Sequence, residues 1–498
     1  MIHILRRRLA AFAAVAAMAA MAALFTAAHG QTSQNPPSVM PPVFIPMANQ
    51  PDPHDFVSRA GAQLTLIGRP FRFGGLNIPW LGVRKDGNDP ARRPTPYEVE
   101  DALETAGALA AAAIRLPGLA DTSGCPLCLE PTQGQLNSEA FAQLDLVLMK
   151  ARDLGLKVVL PLASAAEAAE PGFFTDARRL IAFRARVEQI VSHRNSLTQT
   201  LYAEDPTILA WEDCDACAPA GQEQAVSAWT EQLGQTIKAA DKHHLFESGA
   251  FAGRIGRHAG NPVPPSQYAP PSVDILGDRL QAAGDKAAQR ALIEDTLDDI
   301  GPSGRAYVLD SFAWGPAVWK ADKDLTDWLQ AIVRARLLGG AFTGNLQGHA
   351  DRGGNLPAPP PSSPGVSALY FPGVTTPEMD QTAMVSRTRL LRRFGYAMID
   401  LTEPPNYALT PKPEIVSVSN GRVVWRGAAG AAAYTIERSP DPGTPFSWET
   451  VCDACTTDAA GFWQDPSPPT GQLWYRVMPW NINLHRSEPS EPFQNKPN

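Results

Sequence analysis

The sequence predicts an α/β fold: a TIM-type (β/α)8 barrel followed by a small all-β sandwich. Three observations predict it. Eight short apolar runs lie near 71–76, 112–116, 157–162, 208–212, 244–248, 273–277, 306–311 and 340–346. Amphipathic stretches separate most of them, and eight strands alternating with helices suit a closed parallel barrel. Beyond about residue 408 the helical spacing stops, and short β-type runs between turn residues take over.

Taken in order, residues 1–30 read as an export signal. Arg6, Arg7 and Arg8 precede an apolar run from Leu9 to Leu24, and Ala28-His29-Gly30 suits cleavage beside small residues. No stop-transfer pattern follows, so the expectation is a secreted or periplasmic protein without a membrane anchor after cleavage. Residues 31–54, rich in Pro, Ser, Asn and Gln, read as a linker. The barrel is expected over 55–405. Its clearest helix carries Phe141, Leu144, Val147, Leu148, Ala151 and Leu154 on one stripe and stops at Gly155. Further helices are expected near 222–240, 284–299, 323–337 and 377–397. A Pro-rich insertion at 348–375 follows the eighth strand. The sandwich is expected over 410–492, with strands at Arg422–Arg426, Tyr434–Arg438 and Trp474–Val477.

The 498-residue chain has a formal charge of −8, which disfavours nucleic acid as a partner because phosphate binding needs a basic face. Its six cysteines form three C-x-x-C pairs, Cys125/Cys128, Cys214/Cys217 and Cys452/Cys455. In an exported chain these point to disulfides, with a four-thiolate zinc site from the first two pairs as the alternative and reactive thiols as a third. His243 and His244 lack metal-ligand spacing to another ligand. No cofactor or metal is expected.

The run Asp205-Pro206-Thr207-Ile208-Leu209-Ala210-Trp211-Glu212-Asp213-Cys214-Asp215-Ala216 resembles the fourth-strand signature D-P-T-I-L-A-W-E-x-x-N-E of mannanase-like enzymes of glycoside hydrolase family 5. Phe56 to Gly61, Phe71 to Trp80, Ile114-Arg115, Phe141 to Leu162 and Phe173 to Asp176 resemble other parts of that family's barrel, so the likeness covers roughly residues 55–350. The resemblance implies a sugar-hydrolase framework. The family's acid/base Glu falls on Ala216, and its nucleophile, within L-E-E-F-G, falls on Ser311 of Leu309-Asp310-Ser311-Phe312-Ala313. The sixth-strand H-x-Y falls on Arg279-Leu280-Gln281, and Arg115 matches the Arg that braces the nucleophile. The C-terminal region resembles a fibronectin type III module, with Trp425 as its second-strand core Trp.

A retaining glycosidase needs two carboxyls about 5–5.5 Å apart. Neither a methyl group nor an unactivated hydroxyl supplies one, and Ser311 lacks the G-x-S-x-G turn. The fallback acids are Asp213, Asp215 and Asp310. Strict alternation from an inward Ser311 would turn Asp310 toward the helices unless the strand is bulged. Glu247 and Asp278 stand at strand ends without a motif. Trp80, Arg115, Asp215, Arg279 and Trp314 are the candidate substrate contacts. The two Trp read equally well as core, and His349 reads as a solvated loop residue or a residue of the mouth. The resulting expectation is a catalytically degenerate polysaccharide-binding protein, its ligand a β-mannan or related β-glycan. The alternatives are an active β-glycan hydrolase with relocated carboxylates, and an envelope scaffold with a protein partner.

Overall fold

The computed structural model describes residues 56–83, 91–116, 125–215, 217, 221–249, 270–280, 286–315, 318–349, 351, 368–370, 380–401, 404, 410–458, 462–468 and 470–495. The signal segment, the Pro-rich linker, Ala216 and nearly all of the 348–375 insertion lie outside them.

A hairpin comes first, β1 (Ser58–Ala60), β2 (Gln63–Leu66) and β3 (Arg69–Pro70). Eight strands follow in chain order: β4 (Phe73–Asn77), β5 (Ala113–Arg115), β6 (Lys157–Ala163), β7 (Ile208–Cys214), β8 (Leu245–Ser248), β9 (Ile275–Leu280), β10 (Ala306–Phe312) and β11 (Leu338–Gln347). Each pairs in parallel with its sequence neighbour, and β11 also pairs with β4, so the sheet closes into a barrel. A short β12 (Ala368–Tyr370) extends β11. The eight strands fall on the eight apolar runs because strands buried on both faces lack polar alternation.

Two buried layers separate by strand parity. Phe73, Ala113, Val159, Ala210, Leu245, Ile275, Ala306, Val308 and Phe342 fill the lumen, closed below by Leu64 and Phe71 beside the hairpin. Residues of the opposite parity, such as Ile114, Trp211, Phe246 and Leu309, pack against the helices. The lumen is tight: a Cβ on Gly340 would meet the Phe73 ring at 2.2 Å. Gly340→Ala is therefore expected to cost about 1–3 kcal/mol through overpacking. Thermal unfolding measures this, and an unchanged midpoint would contradict the packing described.

The surrounding helices are α1 (Pro96–Ala108), α2 (Ser138–Asp153), α3 (Ala165–Ala168), α4 (Ala177–Val191), α5 (Glu223–Ala240), α6 (Lys286–Ile300), α7 (Asp322–Arg334) and α8 (Gln381–Met398). Sequence periodicity missed α1, whose small residues blur its stripe, although Thr95 and Glu98 form a capping box with Pro96 at the first position. It also missed α4, whose interior is interrupted by buried Arg186.

After α8 come β13 (Glu414–Ser419), β14 (Arg422–Arg426), β15 (Ala431–Ser439), β16 (Glu449–Thr456), β17 (Trp463–Gln464), β18 (Trp474–Asn481) and β19 (Phe493–Gln494). They form two antiparallel sheets, ordered β13-β14-β17 and β16-β15-β18-β19. Between the sheets lie Ile415, Val423, Trp425, Tyr434, Ile436, Tyr475 and Val477. The cysteines pair locally as Cys125–Cys128, Cys214–Cys217 and Cys452–Cys455, with Cα separations of 5.4, 5.8 and 5.3 Å.

Candidate functional site

Parity carries a set of charged side chains to the C-terminal end of the lumen. Arg115, Glu212, Glu247 and Asp310 each lie two residues beyond a lumen-filling Ala113, Ala210, Leu245 or Val308. Asn77 and Arg279 lie four beyond Phe73 and Ile275. This is the end where such barrels build their sites.

Arg115 donates through Nε to Glu212 at 2.7 Å and through Nη2 to the other oxygen of the same carboxylate. The same Nη2 reaches Asp215 Oδ1 at 2.9 Å, and Arg279 Nη2 contacts that same oxygen. Asn77 Nδ2 donates to the Asp310 carbonyl at 2.9 Å. The Glu247 and Asp310 carboxyls lie within hydrogen-bonding reach of each other. Neither has another donor among the described residues, and burial together with their mutual repulsion disfavours ionising both. Backbone is shaped around these acids: a Cβ on Gly277 would meet Asp310 Oδ2 at 2.1 Å, and one on Gly249 would meet Glu212 Oε1 at 2.1 Å.

Glu212, Glu247 and Asp310 are 0% exposed, and Arg115 is 3% exposed. Burial disfavours the charged form of the acids. It lifts Glu212 to about 7 even though Arg115 opposes it. Glu247 rises well above its ordinary value through burial and then Asp310, and burial raises Asp310 against the pull of Arg115. Burial alone would lower Arg115, but Glu212 and Asp310 outweigh it and hold it fully protonated. Burial and then Arg115 bring Arg279 down to about 10. Above this sealed layer Asp215 and Arg279 keep 26% and 27% of their side chains exposed. Asp215 also edges a mainly apolar cavity of about 350 Å³ lined by Leu81, Leu116, Leu127 and the Cys125–Cys128 bridge.

The structure turns Asp310 inward, the outcome expected of this position only where strict alternation is broken by a bulge. The inward series is Ala306, Val308, Asp310; the register slips beyond Leu309 against both neighbouring strands, and also between Tyr307 and Val308 against β11. Ser311 pairs with Arg279 in that slipped register and is partly exposed. Asp213 faces the helix layer, accepting from Thr230 at 2.9 Å and Ser248 at 3.1 Å. Asp278 does the same, accepting from Tyr307 at 3.0 Å. Trp314 is 0% exposed. Trp80 is buried too, and its indole N–H donates to the Leu346 carbonyl at 2.7 Å. Both rings are packed as core. His244 is buried between Asp241 and the Asp205 carbonyl, and His243 stacks on Phe56. Ala216 lies outside the described residues.

His349 lies neither in solvent nor at the mouth. It is buried, with Nδ1 at 2.7 Å from Asp101 of α1 and Nε2 at 3.1 Å from Asp458, which follows β16. Burial would lower its pKa, but the two aspartates push it up to about 10. Nearby, Tyr97 donates to the Gly427 carbonyl at 2.9 Å and Arg426 pairs with Asp351 at 2.7 Å. Position 427 must be glycine here, because a Cβ would meet His349 Nε2 at 2.2 Å. Gln381 and Arg389 of α8 also donate to the carbonyls of Ala432 and Ile482. Among the described residues no group of three His, Cys, Asp or Glu side chains could hold a metal ion, and no helix is long and apolar enough to cross a membrane.

Residues 167–280 match the family model described as GH family 5 beta-mannosidase-like. Mannan endo-1,4-beta-mannosidase 7 of Arabidopsis thaliana is 27% identical over 236 residues, which cover 43% of this chain and 53% of that protein. Putative mannan endo-1,4-beta-mannosidase 5 of Oryza sativa subsp. japonica is 30% identical over 215 residues, 39% of this chain and 42% of that one. The chain thus spans about half the length of the curated relatives it matches. Among solved structures, the endo-beta-1,4-mannanase from Thermotoga petrophila superposes with a TM-score of 0.52 at 14% identity, covering 86% of this chain and 98% of that one. The Glycoside Hydrolase Family 5 Mannosidase from Rhizomucor miehei gives 0.54 at 14% identity, covering 70% and 98%. These structural likenesses concern the fold. The closed eight-stranded barrel and the match over residues 167–280 agree in a likeness to GH family 5 beta-mannosidase-like proteins.

Proposed function

We propose that this chain is an exported glycan-binding protein built on a glycoside hydrolase barrel that no longer cleaves efficiently. A single observation carries the reading: the carboxyls gathered at the mouth are sealed and mutually engaged. Glu212 is clamped on Arg115, and Glu247 and Asp310 face each other at 0% exposure. Retaining chemistry needs one carboxyl to reach the anomeric carbon and another to reach the leaving oxygen, with about 5–5.5 Å between them. A couple buried at 0% exposure and engaged with each other lacks the access that this chemistry needs. The partly exposed acid, Asp215, is neutralised by two guanidiniums. By sequence the family's catalytic pair falls on Ala216 and Ser311, while the residue of β10 that faces the lumen is the sealed Asp310.

The ligand class follows from the relatives, which are named for mannan, so β-mannan or a related β-glycan is the first candidate. The C-terminal sheets, ordered as three strands and four around Trp425, Tyr475 and Val477, favour a fibronectin type III-like module. Three local disulfides fit an oxidising compartment outside the cytoplasm. The test is reducing-sugar release from mannan, glucomannan and cellulose, run beside affinity electrophoresis on the same polymers. Retardation without release is expected. Release at ordinary glycosidase rates, abolished by Asp310→Asn or Glu247→Gln, would overturn the reading.

A further inference from the structure

The partly exposed chemistry of the mouth is a carboxylate held by two guanidiniums. Asp215 Oδ1 receives both Arg115 Nη2 and Arg279 Nη2. Arg115 spends Nε and Nη2 on Glu212 as well, and its Nη1 donates to Asn77 Oδ1 at 3.5 Å. Arg279 has a donor in reserve: among the described residues its Nε–H, buried beside Asp215, has no acceptor. A guanidinium offers a planar fork that a carboxylate fills with two parallel bonds. Arg279 engages Asp215 with one nitrogen and leaves the other prong empty. The seat is therefore shaped for a carboxylate approaching side-on, and Asp215 fills it incompletely.

We infer that the Arg115–Arg279 seat binds the carboxylate of an acidic sugar, and that Asp215 is the chain's own stand-in for it. This rests on the glycan-binding reading above and narrows it to uronate-bearing polysaccharides. The position supports a ligand from outside: Asp215 and Arg279 are each about a quarter exposed, whereas the acids beneath are sealed. The global charge of −8 repels polyanions, so an acidic glycan gains only where cations are locally concentrated. A neutral mannose unit has nothing to offer Arg279 Nε that matches a carboxylate oxygen in strength, since charge-assisted bonds are roughly twice as strong as neutral ones.

The experiment uses the full chain and two matched probes, β-1,4-mannotetraose and β-1,4-tetramannuronate, which differ in carrying a hydroxymethyl or a carboxylate on each ring. Calorimetric titration is expected to give binding of the tetramannuronate at least about tenfold tighter than that of the neutral tetramer, the ratio one charge-assisted hydrogen bond supports. Added salt should weaken it. Arg279→Gln should abolish the preference, and Asp215→Asn, which removes the competing carboxylate, should strengthen it severalfold. Equal or tighter binding of mannotetraose overturns the acidic-sugar seat and leaves the glycan-binding reading standing. Binding of neither probe overturns both. A preference unchanged in both variants places the uronate elsewhere and overturns the seat; should Arg279→Gln fail to fold, Asp215→Asn decides alone.

Discussion

Replacing His349 with Gln is expected to lower the unfolding free energy of the full chain by about 3–5 kcal/mol, the cost of breaking a buried ion pair by removing one partner. The imidazolium lies between Asp101 and Asp458 in a fully buried setting. Glutamine keeps hydrogen-bonding capacity but no charge, so two desolvated aspartates would be left facing one another. The effect is pH-dependent with a defined sign. The folded pKa of His349 is raised from 6.5 to about 10. Its contribution is therefore fully present below the ordinary histidine value and is lost as pH rises through about 10. Tyr97, Tyr434, Asp351 and Arg426 also face this cluster. Of these, Tyr97 is pushed up by burial and then by Asp101 and Asp458, so it stays neutral across that window. Urea unfolding at pH 6, 8 and 10 checks both points. The wild type should lose stability across this series, and the variant should start lower and fall less. A difference under about 1 kcal/mol at pH 6 would refute the buried triad as a determinant of stability.

The opposite sign is expected for Glu247→Gln, which should stabilise the protein at neutral and alkaline pH. Among the described residues the wild-type carboxyl faces Asp310 without any other donor, and its folded pKa is raised by burial first and by Asp310 second. An acid with a raised folded pKa favours the native state at low pH and opposes it increasingly as pH rises. Glutamine removes that penalty and presents an amide N–H to Asp310, a charge-assisted bond worth about 1.5–3 kcal/mol. Thermal midpoints at pH 5 and pH 8 decide the matter. The wild type should gain on acidification, while the variant should be more stable than wild type at pH 8 and nearly flat between the two. A variant less stable at pH 8 would mean that the carboxylate serves a partner other than Asp310.

The barrel was legible because each of its strands is an uninterrupted apolar run, and eight such runs between amphipathic stretches leave few alternatives. The C-x-x-C spacing together with the expected export pointed to local disulfides over the zinc-site and thiol readings, and the three local pairs are disulfides. The site was harder. A run buried on both faces hides which parity faces the lumen, and a motif alignment placed Ser311 inward. The better signal was within the strand: Ala306 and Val308 are small or β-branched and suit a crowded lumen, and the same parity reaches Asp310. Glu247 follows Leu245 by the same rule and was passed over for want of a motif. The Asp101–His349–Asp458 cluster had no sequence signal, since its members lie on α1, after β11 and after β16 and meet only when the sheets dock on the barrel. Gly427 was the sole local hint, and it explains itself only once His349 is beside it.

That docking changes what the C-terminal sheets can be. Buried ion pairing through His349 and backbone-directed bonds from α8 fasten them to the barrel at several points, unlike a bead on a string. The sheets are thereby held at a constant bearing and distance from the pit of the barrel, as a jig holds a workpiece, and their reach is set by this joint and not by tether length.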